Sequence, residues 1–569
     1  MGPVQLLRRL VLEEDASSLM NKDVRPCDAS RRTWTRLAFH NYWLLINCTI
    51  ATFLAGSSLI PLGLTWWQAI ISISIGNLLV TAAILLSSLQ GANYHIGFSV
   101  YSRSIWGIWG SQFAIWNRIF LSFVWYGFQA WVGGECVYLM LLSWDPRYES
   151  RITNTIPAET GMTSARLVCY VLFSVASLPF IWIRPHRLQS FFNVTSSVAL
   201  AFFVVLLIWA LATMGGDGFG ETLAGPARAE AAPPASGSRS TAWLMVYGAM
   251  STMGSIAAGI LNQSDFSRLA KKPRDAIWGQ VFSYPVYAIC ASVLGILVVA
   301  ATQNRFGGEA VWNPPTLFER LLERDAGAGT RAAVFFAGLA LCVSQLGSSI
   351  PGNALAGGID LASLFPRYIN IRRGAYMTAL VSPVVNPWRL VSTAPTFLTV
   401  VSSYGVFLAP MTGMMTAHYH VICKRKLKIE DLYRGDAGGI YWYWHGFNWR
   451  AGAAWIVGVA PCLPGFIASV NGAVQVSDAA TQLYYLNYLY GYFSSGIVYA
   501  ALHRLFPARA IDDFVRQPMS ADDLQKYYRD LWDSDPSESG GLGQNLPRCI
   551  QTEKAKAKER VPTAASSMA

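Results

Sequence analysis

Apolar runs long enough to cross a bilayer recur along most of this 569-residue chain, and nothing else in it narrows the fold so far. A spanning helix needs about 17–25 predominantly apolar residues. Runs of that length fall at roughly 38–62, 66–89, 111–143, 165–183, 196–214, 243–262, 276–302, 332–363, 375–392, 395–421, 452–470 and 482–505. Lipid offers backbone N–H and C=O groups no partner, so such runs must be helices that satisfy themselves. Composition agrees: 14% of residues are charged and 53% hydrophobic, where soluble domains carry about 25% charge. The expectation is an all-α, polytopic membrane protein with about twelve transmembrane helices.

The formal charge of +11 could suggest nucleic acid, but its placement argues for orientation instead. An even number of spans puts both termini on one side. There lie Arg31, Arg32 and Arg36; Arg184 and Arg187; Arg268, Lys271, Lys272 and Arg274; Arg367, Arg372 and Arg373; and Lys424, Arg425, Lys426 and Lys428. The opposite loops hold fewer bases, and Arg320, Arg324 and Arg331 are mixed with Glu319, Glu323 and Asp325. This positive-inside bias makes both termini cytoplasmic and gives no support to a nucleic-acid partner. The nine cysteines form no CxxC pair or metal-ligand cluster, so no metal site is expected. Residues 1–37 read as a polar cytoplasmic tail, 38–506 as the membrane body, and 507–569 as a cytoplasmic, largely disordered tail ending in Lys554, Lys556, Lys558 and Arg560. Such tails are solvated surface or attachment points for trafficking and ubiquitination machinery.

Trp125 and Gln129 stand four residues apart in the third span, which on a helix stacks them on one face. An indole and a carboxamide give a planar, hydrogen-bonding ring something to stack on and something to pair with. Lipid cannot satisfy the amide, so this face should look into a bundle interior or cavity. Glu135 is the only acid well inside the same span, a functional candidate by default, or else a group that already reaches the external vestibule. Five spans precede an Ala/Pro/Gly/Ser-rich external loop at 224–240, and five follow before a polar connector at 422–451. That arrangement suggests an inverted repeat whose first helices are interrupted, at Ala55–Ser58 and within Gly248–Ser255. Close helix packing is the other reading of those small residues.

Several strings then resemble one family: Asn262-Gln263-Ser264-Asp265-Phe266-Ser267-Arg268, Phe365-Pro366-Arg367 through Gly374, Asp431-Leu432-Tyr433-Arg434, Phe447-Asn448-Trp449-Arg450-Ala451 and Pro464-Gly465-Phe466, together with Val124-Trp125-Tyr126-Gly127 and Gln129. They resemble the nucleobase–cation symporter 1 family, specifically fungal Fur-type permeases, from about residue 20 to 507. The resemblance implies a LeuT-like fold, a five-plus-five inverted repeat with two peripheral helices. It also implies import of uracil, allantoin, uridine or a related compound across the plasma membrane, driven in fungi by protons. Relatives that carry thiamine or nicotinamide riboside keep those substrates open.

By the same resemblance Trp125 stacks on the substrate ring, Gln129 and Asn353 hydrogen-bond it, and Thr52, Phe53 and Gly56 border it. Ser348 and Ser349 stand where the family often has Thr-Asn and where sodium-coupled relatives bind their ion. That departure fits H+ as the coupling ion, with no other cofactor. Asp360 matches a family aspartate implicated in gating or proton movement, or else is a solvated carboxylate pairing with Arg367. His418 replaces a common aspartate and is either a proton carrier or structural. No nucleophile–base pair or HExxH motif falls in the spans, so an enzyme is not expected. A non-transporting nutrient sensor is the rival of another class. A cationic thiazolium substrate would want an acid beside it, which Glu135 could supply.

Overall fold

The computed structural model describes residues 18–21, 24–183, 189–216, 218–219 and 240–533, and among these it is helical with only two isolated β-bridges. Helix covers each of the expected apolar segments. The first is α1 (Arg36–Asn47) with α2 (Ile50–Ser57), followed by α3 (Trp66–Tyr94), the short α4 (Phe98–Trp106), α5 (Ser111–Trp144), α6 (Ser164–Trp182) and α7 (Gln189–Ala212). The second half runs α8 (Thr241–Ser255), α9 (Ala257–Leu261), α10 (Gln263–Ser267), α11 (Pro273–Val281), α12 (Ser283–Thr302), α13 (Pro314–Arg324), α14 (Ala328–Ser349), α15 (Leu355–Leu364), α16 (Ile371–Val381) and α17 (Ala394–Ala417). Beyond the connector come α18 (Trp449–Val459), α19 (Leu463–Val470), α20 (Asp478–Tyr485) and α21 (Asn487–Leu505). Seven of the described helices, or continuous helix pairs, are long and apolar enough to cross a membrane by themselves, and eight if the bent α1–α2 pair is one span.

The first span is broken, but not where its small residues suggested. α1 and α2 meet at 62° across Cys48 and Thr49. Thr49 is extended and its hydroxyl accepts the Thr52 N–H at 3.4 Å, so it caps α2 as a new helix. Gly56 lies inside α2, where an added Cβ would stand 2.3 Å from the Ser292 carbonyl oxygen of α12. Gly295 of α12 in turn meets the Phe53 carbonyl. These glycines bring two backbones together, which is the packing role of small residues in membrane helices. The sixth span repeats the pattern: Gly248 and Gly254 are packing positions inside α8, and the breaks follow at Ile256 and Asn262.

Helix pairing carries the inverted repeat that hydropathy suggested. α2 packs on α12 as α8 packs on α3; α5 packs on α6 as α15 packs on α16; and α5 and α14 face each other at the centre. The tail expected at 507–569 begins with helix. Residues 509–515 and 521–533 form α22 (Arg509–Val515) and α23 (Ala521–Asp533). Leu524 and Tyr528, one turn apart on α23, are buried against the body, and the Tyr528 hydroxyl donates to Glu430 Oε2 at 2.5 Å. The expected disorder around Lys554–Arg560, the loop at 224–239, and Arg184 and Arg187 lie outside the described residues.

Candidate functional site

A cavity of about 140 Å³ lies where the broken helices meet α5, α12 and the end of α14. Trp125, Gln129, Thr52, Ser348 and Asn353 all line it. After Ser349 the helix widens into a π-turn, Ile350–Ala354, before resuming as α15. Pro351 lacks the N–H that would continue regular winding, which accounts for a local irregularity of this kind. The turn delivers Asn353 to α5, where its Nδ2 donates to Gln129 Oε1 at 2.9 Å. Gln129 is 7% exposed and Asn353 half-buried. Their mutual bond leaves the Gln129 N–H groups and the Asn353 carbonyl oxygen to pair with whatever enters. Trp125, half-buried one turn before Gln129, is held edge-on by Phe128 at 5.3 Å and tilted against Tyr404 at 5.9 Å.

Among the described residues, none that lines the cavity is charged. Its other polar groups include Asn47, Asn77 and Tyr284, which the sequence reading did not select, with Thr252 of the Gly248–Ser255 segment and Asn262, which opens one of the family motifs. Tyr284 donates to Asn77 Oδ1 at 2.9 Å, joining α12 to α3. Asn77, an amide amid an apolar run, carried the signal that could have found it.

Five expected residues lie elsewhere. Phe53 is buried and stacks on Phe203 at 5.3 Å, and Gly56 packs on Ser292 as described. Ser349 is buried behind the cavity wall. Glu135 pairs with Arg166 of α6, whose Nη2 donates to Glu319 of α13 at 2.6 Å. Asp360 is neither solvated nor paired with Arg367: it is buried 3.1 Å from Arg118 Nη2. The other nitrogen of that guanidinium, Nη1, meets Asp265 Oδ2 at 3.0 Å, and Asp265 Oδ1 accepts the Phe98 N–H at 2.8 Å. Arg118 is a membrane-depth base that the sequence reading passed over. His418 is also away from the cavity, buried between the Tyr499 hydroxyl at 3.0 Å and Cys423 Sγ at 3.2 Å, which gives it a structural place.

Broken helices around a small central cavity, inside an all-helical membrane body, define a transporter rather than an enzyme. Residues 26–491 match the family described as permease for cytosine/purines, uracil, thiamine, allantoin, and the chain belongs to it. It is 34% identical to the uracil permease of Saccharomyces cerevisiae over 86% of this chain and 77% of that protein. It is 32% identical to transporter aclS of Aspergillus oryzae over 87% of this chain and 88% of that one. The Saccharomyces cerevisiae thiamine transporter is also 32% identical, over 86% of this chain and 80% of its own. Its fold matches Mhp1, a nucleobase-cation-symport-1 family transporter solved in a closed conformation with bromovinylhydantoin bound. That likeness has a TM-score of 0.67 at 20% identity, over 90% of this chain and all of Mhp1.

Proposed function

We propose that the protein imports a small, uncharged, single-ring heterocycle of the uracil or hydantoin type by proton symport and alternating access. The ring stacks on Trp125, and its N–H and C=O edge meets the free groups of Gln129 and Asn353. One observation supports this choice above the rest: an amide pair beside an indole, in a cavity lined by no charge among the described residues. An imide edge alternates donors and acceptors as the amide pair does. A cavity of roughly 150 Å³ takes up benzene in a model protein, so about 140 Å³ suits one ring. The same features weigh against thiamine and nicotinamide riboside, which are larger and cationic, because Glu135 is engaged by Arg166 away from the cavity. Basic loops on one face support cytoplasmic termini.

The test is uptake of radiolabelled uracil, allantoin, uridine and thiamine in a host without its own permeases, with and without a protonophore. Uracil or allantoin uptake that collapses with the proton gradient is expected. Gln129→Ala should raise KM tenfold or more, since a polar ligand group left unpaired costs about 1–3 kcal/mol. Normal uptake by that variant, or uptake of thiamine alone, would overturn the reading.

A further inference from the structure

We infer that the groove between the connector, the start of α18 and the start of α22 binds the phosphate-bearing headgroup of an anionic membrane lipid. The groove measures about 840 Å³, within the roughly 300–1,000 Å³ range of small-molecule sites. Trp442, Tyr443 and Trp444 of the connector, Trp449 and Arg450 of α18, and Arg509 of α22 line it.

Its height in the bilayer follows from the helices. Trp449 opens α18 and Phe506 closes α21, and their rings are 5.5 Å apart. Trp444, Trp449, Leu505 and Phe506 all remain exposed. Amphipathic aromatic side chains gather where hydrocarbon gives way to headgroups, so the groove opens at that level. The two bases then meet the anionic cytoplasmic leaflet, where basic pockets between spanning helices take up acidic headgroups.

Charge and rigidity fit a phosphate. Arg450 Nε donates to the Phe506 carbonyl at 2.8 Å and Nη1 to Asn448 Oδ1 at 3.4 Å, which aims the guanidinium and leaves Nη2 over. Arg509 is exposed and forms no ion pair among the described residues, although Asp512 and Asp513 follow it on α22. The connector wall is preformed. Tyr443, His445 and Gly446 take positive φ values of 50°, 50° and 88°. Trp109 and Gly110 N–H groups fix the turn by donating to the Gly446 carbonyl at 2.9 and 3.2 Å. Non-glycine residues persist in that conformation only where surrounding structure over-determines them.

Full-length protein in phosphatidylcholine nanodiscs containing a minor fraction of phosphatidylinositol should retain phosphatidylinositol through native mass spectrometry. Arg509→Gln, which breaks no side-chain hydrogen bond or ion pair among the described residues, should weaken retention about fivefold, and Arg450→Gln combined with it about thirtyfold. Lys271→Gln with Lys272→Gln, exposed bases elsewhere on the same face, should change nothing. The inference fails if Arg509→Gln retains phosphatidylinositol as wild type does, or if phosphatidylcholine is retained equally. It fails too if soluble inositol phosphate displaces the lipid, or if a peptide is found in its place.

Discussion

Two clusters of the same make-up, one guanidinium between two carboxylates, sit at opposite ends of α5, and they are built for different duties. At the inner end, the side chains of Arg118, Asp265 and Asp360 are 4%, 9% and 1% exposed. At the outer end, Arg166, Glu135 and Glu319 are 21%, 11% and 21% exposed. The inner cluster joins α10, the last piece of the broken sixth span, to α5 and α15. Any movement of α10 away from α5 must therefore break the Arg118–Asp265 pair. The outer cluster joins α5 and α6 to α13, and no piece of a broken span takes part. Water reaches it, and Arg166 also lies 4.4 Å from the Tyr138 ring, whose hydroxyl donates to Glu149. Similar chemistry thus serves as a dry tie on one side and a hydrated brace on the other.

The sharpest way to break this comparison is Arg118→Gln. It strands two buried carboxylates, and removing one partner of a buried pair costs about 3–5 kcal/mol. Little folded monomer should survive detergent extraction in size-exclusion chromatography. Arg118→Lys should fall between, since an ammonium cannot reach two carboxylates with a planar fork. A variant as heat-resistant as wild type would show that the inner tie is no stronger than the outer.

Asp265→Asn should free α10 without leaving a charge unpaired on it. A reporter cysteine at Ala258, which lines the cavity from α9, should then react faster with a cytoplasmic maleimide. The increase should be about tenfold, from loss of a charge-assisted bond of about 1.5–3 kcal/mol. Unchanged labelling would mean that the Arg118–Asp265 pair does not hold the inner face closed. Arg166→Gln should lower thermal stability less than Arg118→Gln, by about 1–3 kcal/mol, because its partners are partly hydrated. Glu319→Gln is expected to do least, under about 1 kcal/mol, since Arg166 keeps Glu135. A larger loss there would make the outer cluster the tighter of the two.

Much of this was legible before any coordinates. Hydropathy located the spanning segments because lipid permits one solution for such runs, and Trp125 and Gln129 shared a face because helix geometry requires it. The breaks were misplaced. Small residues such as Gly56 mark close approach as readily as unwinding, and the actual break rests on an unremarkable Cys48–Thr49 pair. The helix α23 was hidden by its charge. Leu524 and Tyr528, one turn apart, were its only apolar stripe within the described side chains. Ion-pair partners were out of reach, since Arg166 and Glu319 lie 31 and 153 residues from their mates. Arg118 was within reach, because a base at membrane depth is costly enough to demand a partner.

The π-turn at Ile350–Ala354 has a consequence for everything after it. A π-turn holds about one residue more than an ordinary turn, and a regular α-helix advances about 100° per residue, so rewinding Ile350–Ala354 as α-helix at unchanged length would rotate the remainder by about that amount. Asn353 would leave Gln129, and Asp360 would swing off Arg118 in the same motion. A single irregular loop of backbone therefore keys the cavity face at Gln129 and the buried Arg118 cluster to one phase, as a keyway holds two gears on a shaft.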